Sequence, residues 1–239
     1  MTGRADTLDI LVIAHIERPA MTVLEERITR AGRTLRLVRP VLGEELPGPR
    51  DAAAVVVLGG PMSAWDTAEY PGLAAETAFL AEAHRAGVPI LGICLGSHLL
   101  SVALGGEAMP GPSGLECGLV EVTAQPGAGA DAAIPLAGTH FSFHSDTTTL
   151  PPGASELAAT DRYVQGWRLG GALGVQFHPE LDPAGIDELL AIEEDKLARF
   201  GVDVAALRRE VAALADDPAD PTPGARLIDA WLGCLPAGA

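Results

Sequence analysis

The chain has 239 residues, 48% of them hydrophobic and 20% charged, which is ample for one full-sized α/β core and too ordinary a mix for low complexity or disorder. Its formal net charge is −16, and a surface of that sign repels phosphate backbones, which excludes nucleic-acid binding as a first expectation. The excess acid either aids solubility or docks a basic partner protein.

Short β-branched runs alternate with helical patterns along the first hundred residues. Leu8 to Ala14 reads as a first strand, a helix follows near Ala20 to Ala31, and Thr34 to Val38 reads as a second strand. Ala53 to Leu58 is apolar on both faces, as a strand covered by helices on each side must be. Gly72 to Arg85 is helical, with Leu73, Thr77, Leu80 and Ala81 at helical spacing, and Val88 to Ile93 is another buried strand. Such alternation predicts βαβ units around a mainly parallel sheet, with helices on both faces. A short helix is expected over Ser97 to Leu104. Gly105 to Gly118, rich in Gly and Pro, reads as loop. Further strands, some antiparallel, are expected at Leu119 to Thr123, Ser155 to Ala159 and Gly171 to Phe177. From Pro183 onward the pattern is helical, over Ile186 to Phe200, Val204 to Ala215 and Gly224 to Leu232, with the proline-rich Asp216 to Pro223 before the last. The expectation is one α/β domain over 1–239, its core at about 8–183, with a helical C-terminal extension over 184–239.

Cys94, Cys117 and Cys234 are an odd and irregular set, poor material for a disulfide framework and in keeping with a reducing compartment. Met1 to Asp9 lacks the apolar stretch of a signal peptide, and no apolar run is long enough to cross a bilayer. A cytoplasmic protein with no membrane attachment is expected.

Three segments carry chemistry. In Gly92-Ile93-Cys94-Leu95-Gly96-Ser97-His98 a cysteine sits where a buried strand ends and a helix begins, between glycines that permit a tight turn. The positive end of a helix stabilises thiolate, the nucleophilic form; the alternative is a buried cysteine acting as a small hydrophobe. In Gly174-Val175-Gln176-Phe177-His178-Pro179-Glu180, His178 has the chemistry of a general base, and Glu180 can reach its far ring nitrogen to orient it. The alternative there is a surface histidine beside a solvated glutamate. Leu58-Gly59-Gly60-Pro61-Met62-Ser63, at another strand end, either presents backbone N–H groups to an oxyanion, with Gly60 paired to Leu95, or is an ordinary turn.

Taken in this order, Gly-Gly-Pro, Gly-Ile-Cys-Leu-Gly and Phe-His-Pro-Glu resemble the class I glutamine amidotransferases over about Leu8 to Pro183. The wording Gly-Gly-Pro-Met-Ser and His-Ser-Asp-Thr is similar to stand-alone members related to the glutaminase domain of GMP synthetase. The resemblance implies a flavodoxin-like fold, with Cys94 as nucleophile, His178 as base and acid, Glu180 as orienter, and Gly60 and Leu95 as the oxyanion hole. It places Gly59, Met62, His98 and the loop His144-Ser145-Asp146 around the substrate, and calls for neither metal nor cofactor. His98 departs from the family's Gln, which turns attention to γ-glutamyl compounds other than glutamine; the other reading of His98 is a packing variant. Cys117 and Cys234 are expected to be structural and non-functional respectively. No Gly-rich phosphate loop ending in Lys-Ser or Lys-Thr is present, so any synthetase acting on the ammonia is expected on a separate protein. A free-standing γ-glutamyl hydrolase and an inactive regulatory homologue are the alternatives.

Overall fold

The computed structural model describes residues 10–126, 134–213 and 221–236. Leu8 and Asp9 of the first expected strand, the expected helix end at residues 214–215 and the start of the proline-rich stretch lie outside the described residues. Eleven strands are described: β1 (Ile10–Ile13), β2 (Leu35–Val38), β3 (Ala54–Val57), β4 (Ile90–Ile93), β5 (Ala108–Pro110), β6 (Glu116–Ala124), β7 (Gly138–His144), β8 (Asp146–Thr148), β9 (Ser155–Ala159), β10 (Val164–Leu169) and β11 (Ala172–Val175). The described helices are α1 (Thr22–Arg30), α2 (Gly72–Arg85), α3 (Leu95–Ala103), α4 (Pro183–Ile192), α5 (Glu194–Arg199), α6 (Val204–Ala212) and α7 (Pro223–Gly233).

Nine strands form one sheet in the order β2-β1-β3-β4-β11-β10-β9-β6-β7. From β2 to β11 the neighbours run parallel; from β11 to β7 they run antiparallel. Of the parallel strands, β1, β3, β4 and β11 are buried end to end, and alternate side chains of β1 and β3 feed two different cores. Ile10, Val12, Ala54 and Val56 face α1 and α7, while Leu11, Ile13, Val55 and Val57 face α2 and α3. This two-sided covering is why those strands read as continuous apolar runs. Over the antiparallel end, α4, α5 and α6 bury Ile186, Leu190, Leu197, Leu207 and Val211 against Phe141 of β7. The last helix is no loose appendage: Leu227, Ile228 and Trp231 of α7 are buried in the same core as Ile10 and Val12.

The stretch expected as loop over Gly105 to Gly118 is corrected by the structure, which holds β5 and the start of β6 there. Gly105 and Gly114, with φ of +94° and +70°, bend the chain on either side of β5, and Gly118, with φ of +127°, lies within β6. Pro110 is tolerated because β5 is paired only with β8. The helix expected over Ile186 to Phe200 is two. It begins earlier, at Pro183, because Asp182 Oδ1 accepts from Gly185 N at 2.8 Å and proline suits the first turn. It breaks at Glu193, whose backbone (φ −98°, ψ 9°) leaves the helical region. Strands β7, β8 and β10 were not expected from the pattern.

Candidate active site

Cys94 joins β4 to α3. Its backbone (φ 51°, ψ −112°) is the one positive φ at a non-glycine residue among the described residues, a strained conformation that the surrounding structure must enforce. On one side the Cys94 N–H is tied to Val175 O in β11 at 2.9 Å; on the other, Gly96 N is tied to Leu58 O at 3.1 Å. A Cβ on Gly96 would lie 2.2 Å from Val57 O, so only glycine lets α3 approach β3 this closely. The turn thus holds the sulfur at the N-terminus of a nine-residue helix, at the carboxyl end of the parallel strands.

His178 follows β11, beside β4, and its backbone N–H donates to Phe141 O at 2.9 Å. Its Nδ1 donates to Glu180 Oε1 at 2.8 Å, with both side chains buried. The Cys94 thiol lies within hydrogen-bond range of the ring. Burial alone would push the His178 pKa down, but the charges of Glu180 and Cys94 and the hydrogen bonds to both outweigh it, so the value stands well above the ordinary 6.5. Cys94 Sγ also lies 3.8 Å from Phe143 O. Gly59 fits between the Cys94 and His178 side chains, since a Cβ there would sit 2.9 Å from His178 Cε1 and 3.5 Å from Cys94 Cβ.

These groups open onto a cavity of about 390 Å³. Every site residue expected from the sequence lines it: Cys94, His178 and Glu180, Gly60 and Leu95, and Gly59, Met62, His98, His144, Ser145 and Asp146. Leu95 is the first residue of α3, so its N–H is among those a helix leaves without an internal partner. Ser145 is the single residue between β7 and β8, so the segment at 144–146 is a strand-to-strand corner. Within it, His144 is turned away from solvent: Nδ1 meets Asp146 O at 2.8 Å and Nε2 meets Glu116 Oε2 at 3.0 Å. Asp146 Oδ2 accepts from Ser63 Oγ at 2.5 Å. His98 is buried, and its Nε2 donates to Gln176 Oε1 at 2.7 Å. Desolvation brings its pKa down to about 4, so at neutral pH it is an uncharged imidazole and adds no positive charge to the pocket. Cys117 lies away from the cavity in β6, and burial pushes its thiol up to about 12, while Cys234 is exposed. Among the described residues no group of three or more His, Cys, Asp or Glu side chains is placed to hold a metal, and no helix is long and apolar enough to cross a membrane.

Four buried residues around the site, Glu116, Gln176, His15 and Glu76, are given no role by the sequence reading. Glu116 accepts from Ser142, His144, Thr160 and Gln165; burial pushes its carboxyl up, but the bonds from His144, Thr160 and Gln165 and the charge of His144 hold it below the usual range. Gln176 fixes His98. His15 reaches Gly59 O with Nδ1 at 3.0 Å and Glu76 Oε2 with Nε2 at 3.2 Å. Two signals were available: His15 follows a parallel strand directly, and Glu76 falls on the buried stripe of α2 with Leu73, Leu80 and Ala83.

A model of the class-I glutamine amidotransferase family matches residues 22–191, well over half of the chain. The chain belongs to that family. Among curated class-I relatives, the GMP synthase of Aeropyrum pernix is 35% identical over 150 residues, which cover 59% of this chain and 26% of that protein. The gamma-glutamyl-L-1-hydroxyisopropylamide hydrolase of a Pseudomonas species is 32% identical over 130 residues, 48% of this chain and 44% of that protein. The chain thus matches about a quarter and under half, respectively, of these relatives. A crystal structure of a glutamine amidotransferase from Thermotoga maritima matches with a TM-score of 0.82 at 27% identity, over 95% of this chain and 96% of that one. One from Methylobacillus flagellatus has a TM-score of 0.79 at 22% identity, over 98% of each, and bears on the fold alone.

Proposed function

We propose that this amidotransferase-family protein hydrolyses the side-chain amide of glutamine with Cys94, His178 and Glu180. The observation that carries the reading is the meeting of a strained, helix-capping cysteine with a carboxylate-held histidine in one cavity. Cys94 Sγ attacks the amide carbon, and the carbonyl π electrons move to oxygen, where the N–H groups of Gly60 and Leu95 receive the negative charge. Collapse of that intermediate breaks the C–N bond; the imidazolium of His178 hands its proton to the departing nitrogen, and ammonia leaves. A γ-glutamyl thioester remains. His178, now neutral, takes a proton from water, whose oxygen attacks the thioester carbon and frees glutamate and the Cys94 thiolate. Glu180 keeps the ring in one tautomer and balances its charge. Ammonia then passes to an acceptor on a separate protein, a reading in line with the GMP synthase relatives.

A second reading, a γ-glutamyl hydrolase that keeps the same triad and needs no partner, is favoured by His98. A neutral imidazole pinned by Gln176 offers a different donor and acceptor pattern from an amide. A site built around specific hydrogen bonds discriminates strongly between substrates that satisfy them and those that do not. Steady-state release of glutamate from glutamine and from a panel of γ-glutamyl amides, on parent and His98→Gln, separates the two. Under the glutaminase reading glutamine has the highest kcat/KM in the parent, and the substitution changes all substrates in parallel. A parent that prefers a γ-glutamyl amide and swings toward glutamine on substitution establishes the hydrolase reading instead.

A further inference from the structure

His15 and Glu76 lie outside the triad, and neither side chain has exposed surface. His15 Nδ1 faces Gly59 O at 3.0 Å, and Nε2 faces the Glu76 carboxylate oxygens at 3.3 and 3.2 Å. Both neighbours are acceptors, so each ring nitrogen carries a proton and the pair is imidazolium with carboxylate. The carbonyl held by His15 belongs to the peptide unit that joins Gly59 to Gly60. That unit is trans, so its C=O and its N–H point in opposite directions within one plane. Pinning Gly59 O from one side therefore aims the Gly60 N–H to the other. Two glycines in succession would otherwise let this peptide rotate freely. The His15 side chain also closes the space behind the loop: a Cβ on Gly60 would lie 2.8 Å from both His15 Cβ and Leu95 Cδ2. Stability does not account for the pair, because desolvation of two buried charges offsets most of their attraction.

We propose that His15, held charged and oriented by Glu76, is a positioning residue that locks the Gly59–Gly60 peptide so that the Gly60 N–H meets the oxyanion. The proposal rests on the reading of Gly60 as an oxyanion donor. An imidazolium hydrogen-bonded to the carbonyl also polarises that amide, which strengthens its N–H as a donor.

The test compares parent, Glu76→Gln and the double variant His15→Leu/Glu76→Leu. The double variant avoids stranding one buried charge, and replacing a buried ion pair by apolar side chains is often neutral for folding. In Glu76→Gln the amide can donate to Nε2, which leaves Nδ1–H on Gly59 O without the charge. The expected result is a fall in kcat of about 100-fold or more in the double variant, the size seen on losing one oxyanion donor, with KM unchanged. Glu76→Gln falls between the two. Alkylation of Cys94 by iodoacetamide forms no oxyanion, and its rate should be the same in all three proteins. A double variant with parental kcat overturns the positioning role, as does alkylation that slows in step with kcat, because that marks a displaced elbow. Parental turnover that survives Cys94→Ala overturns the underlying site reading and this proposal with it.

Discussion

At the residue scale the account turns on where the His178 proton sits. Burial lowers the His178 pKa, but Glu180 and Cys94 raise it well above 6.5, so the ring keeps its proton well past that value. The descending limb of kcat/KM against pH should therefore lie well above 6.5. Removing the Glu180 charge makes the proton easier to lose, so Glu180→Gln should move that limb to lower pH and lower the plateau by roughly 10²–10⁴-fold. A variant whose limb stays in place would assign the orienting charge to another group. His178 and Glu180 were legible in the sequence because they are two residues apart, and Cys94 because its glycines mark the turn. His15 and Glu76 were not: their partners lie 44 and 61 residues away, a distance no local pattern spans.

At the scale of elements, the parallel strands are legible throughout, whereas of the antiparallel strands β6 and β9 are legible and β7 and β10 are not, for one physical reason. Strands β1, β3 and β4 bury both faces in apolar cores, so composition alone marks them. In β7, Gly-Thr-His-Phe-Ser-Phe-His, the buried positions include His140, Ser142 and His144, satisfied by bonds to Leu136, Glu116 and Asp146 in place of apolar packing. In β10, Gln165 and Gly166 are likewise buried within the strand. Polar groups that are satisfied across a sheet look like loop in one dimension. The described part of the C-terminal helical segment was legible as helix but not as core. Because Ile228 is fully buried with Ile10 and Val12, Ile228→Ala should cost about 2–5 kcal/mol in urea denaturation and leave kcat unchanged. A loss below about 1 kcal/mol would contradict the place of α7 in that core.

Across the whole molecule, four histidines form two pairs with opposite pH signatures. His15 and His178 have raised values, so their contribution to stability is complete below 6.5 and is lost as pH rises through those values. His98 and His140 are held near 4 by desolvation, so the folded chain keeps them neutral while the unfolded chain takes up protons below 6.5. Each therefore withdraws up to about 3 kcal/mol as pH falls from 6.5 to 4. Chemical denaturation of parent and His98→Gln at neutral pH and near pH 4 checks this: the variant should lose less stability than the parent on acidification. An equal loss in the two proteins would mean that His98 is charged in the folded state.

The central claim is a γ-glutamyl thioester on one sulfur, and acid-quenched turnover followed by peptide mass spectrometry tests it most directly. Cys117 is held as a thiol, its pKa pushed up to about 12, and Cys234 lies on the surface away from the cavity. With glutamine or a preferred γ-glutamyl amide, the adduct should appear on the peptide that carries Cys94 and on no other, and Cys94→Ala should abolish both adduct and turnover. An adduct on Cys117 or Cys234, or undiminished turnover in Cys94→Ala, would contradict the account.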